Sequence, residues 1–199
     1  MLGIVCLVAL LVGCGGPAAE FPWNDDFSEP GTWQTETDAA AEVEVIDGVM
    51  RVFVAIPDQL AWATAGKDLG DFHLRVEASQ VAGPDDNEYG VLLRLQDAAN
   101  FYRFSISGDG YFQVSSHVDG AAEYLGGRWT PSDVINQGQA TNTIEVICQG
   151  DTFTFIVNGQ QLVEVQDGAF SRGDIGLYVG TFSIAGAEVH FDNLAVDTP

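Results

Sequence analysis

Residues 142–165 read NTIEVICQGDTFTFIVNGQQLVEV. Ile144, Val146 and Cys148 fall on alternate positions, as do Phe153, Phe155 and Val157, which is the period of a strand with one buried face. Gln149-Gly150-Asp151 separates the first run from the second, and Asn158-Gly159 separates the second from QQLVEV. An Asn-Gly pair supplies the positive φ that a two-residue hairpin turn demands. The stretch therefore predicts three consecutive antiparallel strands. The same grammar extends outward in both directions. Asp47-Gly48 divides AEVEVI from VMRVFVA, and Ser107-Gly108-Asp109-Gly110 divides NFYRFSI from YFQVSSHV. Further strands are expected at 60–65, 71–82, 87–96, 174–180 and 186–196, giving about 12–13 in all. So many antiparallel strands must close on themselves or pack sheet on sheet to hide their apolar faces. The one long irregular stretch is 125–142, where Thr130-Pro131-Ser132-Asp133 predicts a cap and a single helical turn.

Composition agrees with an all-β chain. The 199 residues include 23 Gly and 7 Pro spread along the sequence, which punctuates short elements and opposes long helices. With 46% hydrophobic residues and 18% charged ones, the chain can bury a core as one domain. Seven Lys and Arg against 29 Asp and Glu leave a formal charge of −22, which excludes nucleic-acid binding by phosphate neutralisation. At the N-terminus, residues 1–13 are uncharged and apolar but shorter than the about 20 residues of a membrane span. They read as the apolar region of an export signal. Leu11-Val12-Gly13-Cys14 resembles the lipobox of bacterial lipoprotein signals, although no Lys or Arg precedes the run. That resemblance implies cleavage before Cys14, lipidation of Cys14, a tether over 14–22, and an extracytoplasmic domain over 23–199 held at the bacterial cell envelope, touching membrane only through its acyl chains. Cys148 would be left without a disulfide partner and is expected to be buried in its strand.

Several motifs carry a family resemblance over residues 23–197. Asp25-Asp26-Phe27-Ser28, Gly31-Thr32-Trp33, Tyr89-Gly90-Val91-Leu92-Leu93-Arg94, Asn100-Phe101-Tyr102-Arg103-Phe104, Val157-Asn158-Gly159, Gly173-Asp174-Ile175-Gly176-Leu177 and Phe191-Asp192-Asn193-Leu194 are similar to the concanavalin A-like jelly rolls. The branch they resemble is the laminin-G-like and 3-keto-disaccharide-hydrolase-like domains of exported bacterial proteins. The resemblance implies a jelly-roll β-sandwich of two antiparallel sheets. It also implies calcium, shared in many such domains between first and last strands, for which Asp26 and Asp192 offer hard oxygen donors.

No catalytic constellation emerges. A retaining glucanase needs two carboxylates about 5–5.5 Å apart; in Glu36-Thr37-Asp38-Ala39-Ala40-Ala41-Glu42 the second Glu lies too far from Asp38, and Glu42-Val43-Glu44 fits a solvated strand face. Asp85-Asp86-Asn87-Glu88 fits an exposed turn. The scarce positive charges say more. Arg75, Arg94 and Arg103 each sit out of phase with the apolar set of their strand, and three neighbouring strands would line them up on one outer face. Tyr111, Gln113, Ser115 and His117 alternate along the next strand, and Trp129 lies in the irregular loop. Arg planes with aromatic rings can stack on sugars and bond their hydroxyls. Cross-strand ion pairing of the arginines with Glu77, Glu88 or Glu164 is the competing arrangement. The expected function is noncatalytic binding of carbohydrate or another cell-surface polymer. The alternatives are a glycoside-processing enzyme of the 3-keto-disaccharide hydrolase type and a structural lipoprotein that mediates protein contacts.

Overall fold

The computed structural model describes residues 21–199, so the export signal and Cys14 lie outside the described residues. Within them the chain forms β1 (Trp23–Asp25), β2 (Ala41–Ile46), β3 (Val49–Val54), β4 (Leu60–Thr64), β5 (Phe72–Ala82), β6 (Asn87–Asp97), β7 (Asn100–Ile106) and β8 (Tyr111–Val118). It continues with β9 (Ala121–Tyr124), β10 (Thr130–Pro131), β11 (Thr141–Gln149), β12 (Thr152–Val157), β13 (Gln160–Gln166), β14 (Asp174–Thr181) and β15 (Ala187–Asp197). The excess over 12–13 is the short β1, β9 and β10, too brief to show a periodicity. The expected helical turn is absent. Thr130 and Pro131 pair with Phe112 and Tyr111 at a sheet edge, where proline's missing N–H is tolerated, and the turn comes one residue later with Ser132 Oγ accepting the Val134 amide.

Two antiparallel sheets make the sandwich. The eight-stranded sheet runs β13-β12-β11-β5-β15-β3-β2, and β1 takes the place of β3 beside the second half of β15. The seven-stranded sheet runs β10-β8-β7-β6-β14-β4, with β9 beside the far half of β8. Alternation does the rest: Phe72, Leu74 and Val76 of β5 face Val91 and Leu93 of β6 and Tyr102, Phe104 and Ile106 of β7 across a fully buried interior. Cys148 joins that core, and its burial pushes the thiol well above its ordinary pKa. The predicted hairpins hold. Asp47 and Gly48 sit at φ 53° and 79°, and Asn158 and Gly159 at 50° and 76°, the left-handed pair that a tight hairpin requires.

Candidate functional site

The outer faces of the two sheets differ in kind. That of the eight-stranded sheet is a solvated ion-pair surface: Arg51 bonds Glu42, Glu44 and Glu188 at 2.6–3.0 Å, and His73 meets Glu145 at 3.2 Å. Glu42 and Glu44 are thus the solvated pair their sequence suggested. The outer face of the seven-stranded sheet carries Leu92, Phe101 and Tyr178, all buried, with Leu60, Trp62 and Leu95 packed against them. Strand β14 presents Gly176, Tyr178 and Gly180 outward, and the two glycines make this packing possible. A Cβ on Gly176 would lie 3.3 Å from the Leu92 side chain, and one on Gly180 would lie 2.5 Å from Leu60 Cδ2 and 2.7 Å from Glu88 Cγ.

The three arginines do not share a face, which corrects the expected cluster. Arg75 lies on β5 in the other sheet, exposed, 3.9 Å from Glu77. Arg94 turns inward, because β6 bulges there: the ladder slips after Leu93 and again opposite Asp174, and Arg94 itself adopts φ 49°. Its guanidinium, 1% exposed, donates to the carbonyls of Gly70, Gly150 and Phe170 and to Asp71, and lies 4.9 Å over the Phe153 ring. Only Arg103 remains on the proposed face, and it is half of a buried ion pair, its Nη1 donating to Glu88 Oε1 at 3.2 Å. Glu88 therefore belongs to the sheet floor, not to an exposed turn; Asp85 and Asp86 alone are exposed.

Around that pair, Tyr178 shares a hydrogen bond with Ser105 and points its hydroxyl at Glu88 Oε2, 3.5 Å away. Burial raises the Glu88 carboxyl and the Arg103 charge pulls it part of the way back. Among the described residues, Arg103 Nε is buried without an acceptor. His117 lies across the ladder from Phe101, its ring stacked at 4.4 Å and 15°, with Nε2 within 3.1 Å of Ser115 Oγ. Burial, then the nearby Arg103 charge, pushes His117 down to about 4, so its ring is neutral at pH 7. Gln113 is buried at 4% and Tyr111 is exposed at the strand start. Trp129 meets Phe182 edge-on at 6.0 Å. Arg103, Gln113, His117 and Tyr111 thus share a face, with His117 and Trp129 already engaged to protein rings.

The open part of this face was not singled out from sequence. A groove of about 710 Å³ runs along β4, between the segment leading into β2 and the turn joining β6 to β7. Leu60, Trp62 and Leu95 give it an apolar floor, while Gln34, Glu36, Asp38, Gln59, Gln96 and Asp97 supply polar walls. Ala99 N–H and the Asn100 side chain hold the Asp97 carboxyl below its ordinary pKa, so it stands ionised as an acceptor. Asp174, at the groove end, instead receives the amides of Gly66 and Lys67 at 2.9 Å and fixes the loop there. One signal for this site was legible: in LAWAT the alternating core set is Ala61 and Ala63, which leaves the large Leu60 and Trp62 outward.

Asp26 and Asp192 each accept a backbone amide of their own turn, from Ser28 and Asn193. Asp26 lines a small hollow with Asn24, Asp25 and Glu29 that Asp192 does not reach. Among the described residues no group of three or more His, Cys, Asp or Glu side chains gathers as a metal site.

The model of the 3-keto-alpha-glucoside-1,2-lyase-like domain matches residues 23–197. The chain belongs to that family. No curated protein matches this lyase-like domain. Among solved structures it is similar to the carbohydrate-binding module CBM66 from Bacillus subtilis, at 19% identity and TM-score 0.65 over 84% of this chain and 96% of that one. It is also similar to the Bacillus licheniformis beta-glucanase, at 12% identity and TM-score 0.68 over 89% and 98%. A Crh5 transglycosylase in complex with NAG aligns at 10% identity and TM-score 0.68, over 91% and 85%. The lyase-like domain therefore has the concanavalin A-like jelly-roll fold that carbohydrate-binding modules and glycoside hydrolases share.

Proposed function

We propose that this lyase-like domain binds neutral carbohydrate, without turning it over, in the groove along β4, and does so as an envelope protein anchored through Cys14. The observation that carries the reading is Trp62, a large ring on a sheet's outer face, set among carboxylate and amide acceptors. A pyranose offers one face of C–H groups to stack on such a ring and a rim of hydroxyls to donate to acceptors. Glu36, Asp38 and Asp97 on a chain of charge −22 repel an acidic glycan, so the sugar is neutral. Calorimetric titration with cello-, malto- and laminaritetraose tests this. At least one should bind, and Trp62→Ala should weaken it about tenfold or more, with Trp62→Phe intermediate. Absence of binding by all three, or binding indifferent to both variants, overturns the reading.

The family match favours a second reading. A 1,2-lyase acting on a 3-keto-glucoside removes the C2 proton beside the ketone, the C2–H electron pair forms a C1=C2 double bond as the C1–O bond breaks, and the departing oxygen takes up a proton to leave as an alcohol; the groove carboxylates are the candidate bases. Incubation with a 3-keto-α-disaccharide separates the two: under the binding reading it stays intact, whereas monosaccharide released together with a C1=C2 unsaturated 3-keto sugar establishes the lyase, and monosaccharide released with a saturated 3-keto hexose marks hydrolysis instead.

A further inference from the structure

We infer that the saccharide is a neutral N-acetylhexosamine, whose acetamido group seats against the open edge of β4 at Trp62. The inference rests on reading the groove as a saccharide site and names the class of sugar. Strand β4 ends the seven-stranded sheet, so one side of it has no strand partner. Its bonds to β14 come from alternate positions: Gln59 C=O accepts the Thr181 amide, and the Ala65 amide donates to Ile175 C=O. The even residues point the other way, since Thr64 exchanges both backbone bonds with Gln34, at 2.8 and 3.1 Å. Leu60 and Trp62 share that phase. A continued ladder would bring Glu36 opposite Trp62, but the covering segment crosses to β2 instead, where Thr37 Oγ1 bonds both backbone groups of Val43 and the Asp38 amide donates to Ala41 C=O. Leu60 C=O is met by Gln59 Nε2. Among the described residues nothing bonds the N–H or C=O of Trp62, which lines the groove and is only half-buried.

The rest of the groove mostly accepts hydrogen bonds. Gln59 Nε2 is spent on Leu60 C=O, and Gln96 Nε2 on the carbonyls of Arg94 and Arg172, which leaves both amide oxygens free beside the Glu36 and Asp97 carboxylates. A trans amide holds its C=O and N–H in opposite directions. One acetamido group can therefore accept from Trp62 N–H on the strand edge and donate from its own N–H to the acceptors across the groove. Its methyl meets the remaining feature, the half-buried Leu60 and Leu95 of the floor, which a hydroxyl leaves bare. An ammonium at the same position would satisfy the carboxylates, but it is costly to desolvate against two leucines.

Chitotetraose and cellotetraose share a backbone and differ only in carrying an acetamido or a hydroxyl group at C2, so calorimetric titration of the folded domain with the pair isolates that group. The glucosamine tetramer, with an ammonium there, is the third arm. Chitotetraose should bind about tenfold tighter than either of the others, and saturating it should slow hydrogen exchange of the Trp62 amide, followed by NMR, by about tenfold or more. Equal affinity for chitotetraose and cellotetraose, or tighter binding of the glucosamine tetramer, overturns the inference and leaves the saccharide reading standing. Tighter binding of chitotetraose with Trp62 exchange unchanged overturns it as well, because the acetamido group is then held elsewhere. If none of the three binds, the inference falls, and the malto- and laminaritetraose titrations decide the saccharide reading by themselves.

Discussion

At the scale of single residues, the three mid-strand arginines show what alternation can and cannot convey. Alternation predicts the outward phase of Arg75 and Arg103, and both meet a carboxylate of the competing ion-pair arrangement, Glu77 and Glu88. Arg94 was misplaced because one left-handed residue in a bulge reverses the facing of every side chain beyond it, and nothing in GVLLRLQ marks that reversal. The three substitutions to alanine should therefore differ in unfolding free energy, measured with denaturant. Arg94→Ala strands three carbonyls and should cost about 3–5 kcal/mol, the range for removing one member of a buried charged network. Arg103→Ala should cost in the same range and leave Glu88 to take up a proton, lowering the melting temperature more than it lowers glycan affinity. Arg75→Ala, on the exposed sheet face, should stay within about 0.5 kcal/mol. Equal losses at Arg75 and Arg94 would contradict the inward assignment.

At the scale of elements, hairpins were legible and edges were not. Dipeptides such as Asp47-Gly48 state their geometry locally, whereas β9 and β10 exist only because β8 is there to pair with, information that no window of sequence holds. The same dependence on a partner strand governs the β7–β8 ladder, where Phe101 and His117 stack. Because His117 is pushed from 6.5 to about 4 in the folded state, the unfolded chain binds more protons between those values. Its contribution to stability is fully present above pH 6.5 and is lost as pH falls toward 4. Glu88, raised by burial, acts in the opposite direction, its share being lost as pH rises through its folded value. Urea midpoints between pH 7 and 5 should fall in the parent, and His117→Gln should flatten that slope. An unchanged slope in the variant would place the titrating group elsewhere.

For the molecule as a whole, strand number and alternation require antiparallel strands that close or pack sheet on sheet, and the motif resemblance selects the jelly roll, while the groove depends on which sheet leaves its large residues outside. LAWAT contained that clue, but only beside a second sheet do its alanines become recognisable as core. The proposed attachment to the envelope also belongs to this scale, since it concerns where the entire domain would reside. Replacing Cys14 by Ser removes the acceptor of the acyl chains, and the protein should move from the membrane pellet to the soluble fraction; sedimentation after a carbonate wash would sink the anchoring proposal. One architectural feature bears on how such a domain travels. Strand β15 lies between β5 and β3 near the middle of the eight-stranded sheet, and β1 closes on it through Trp23 and Val196. The centre of that sheet is thus the last strand of the sandwich to be synthesised, and ladders joining strands distant in sequence form slowly. A domain emerging N-terminus first cannot complete its sandwich until β15 arrives, so under the export proposal the polypeptide would still be open when it is threaded across the membrane.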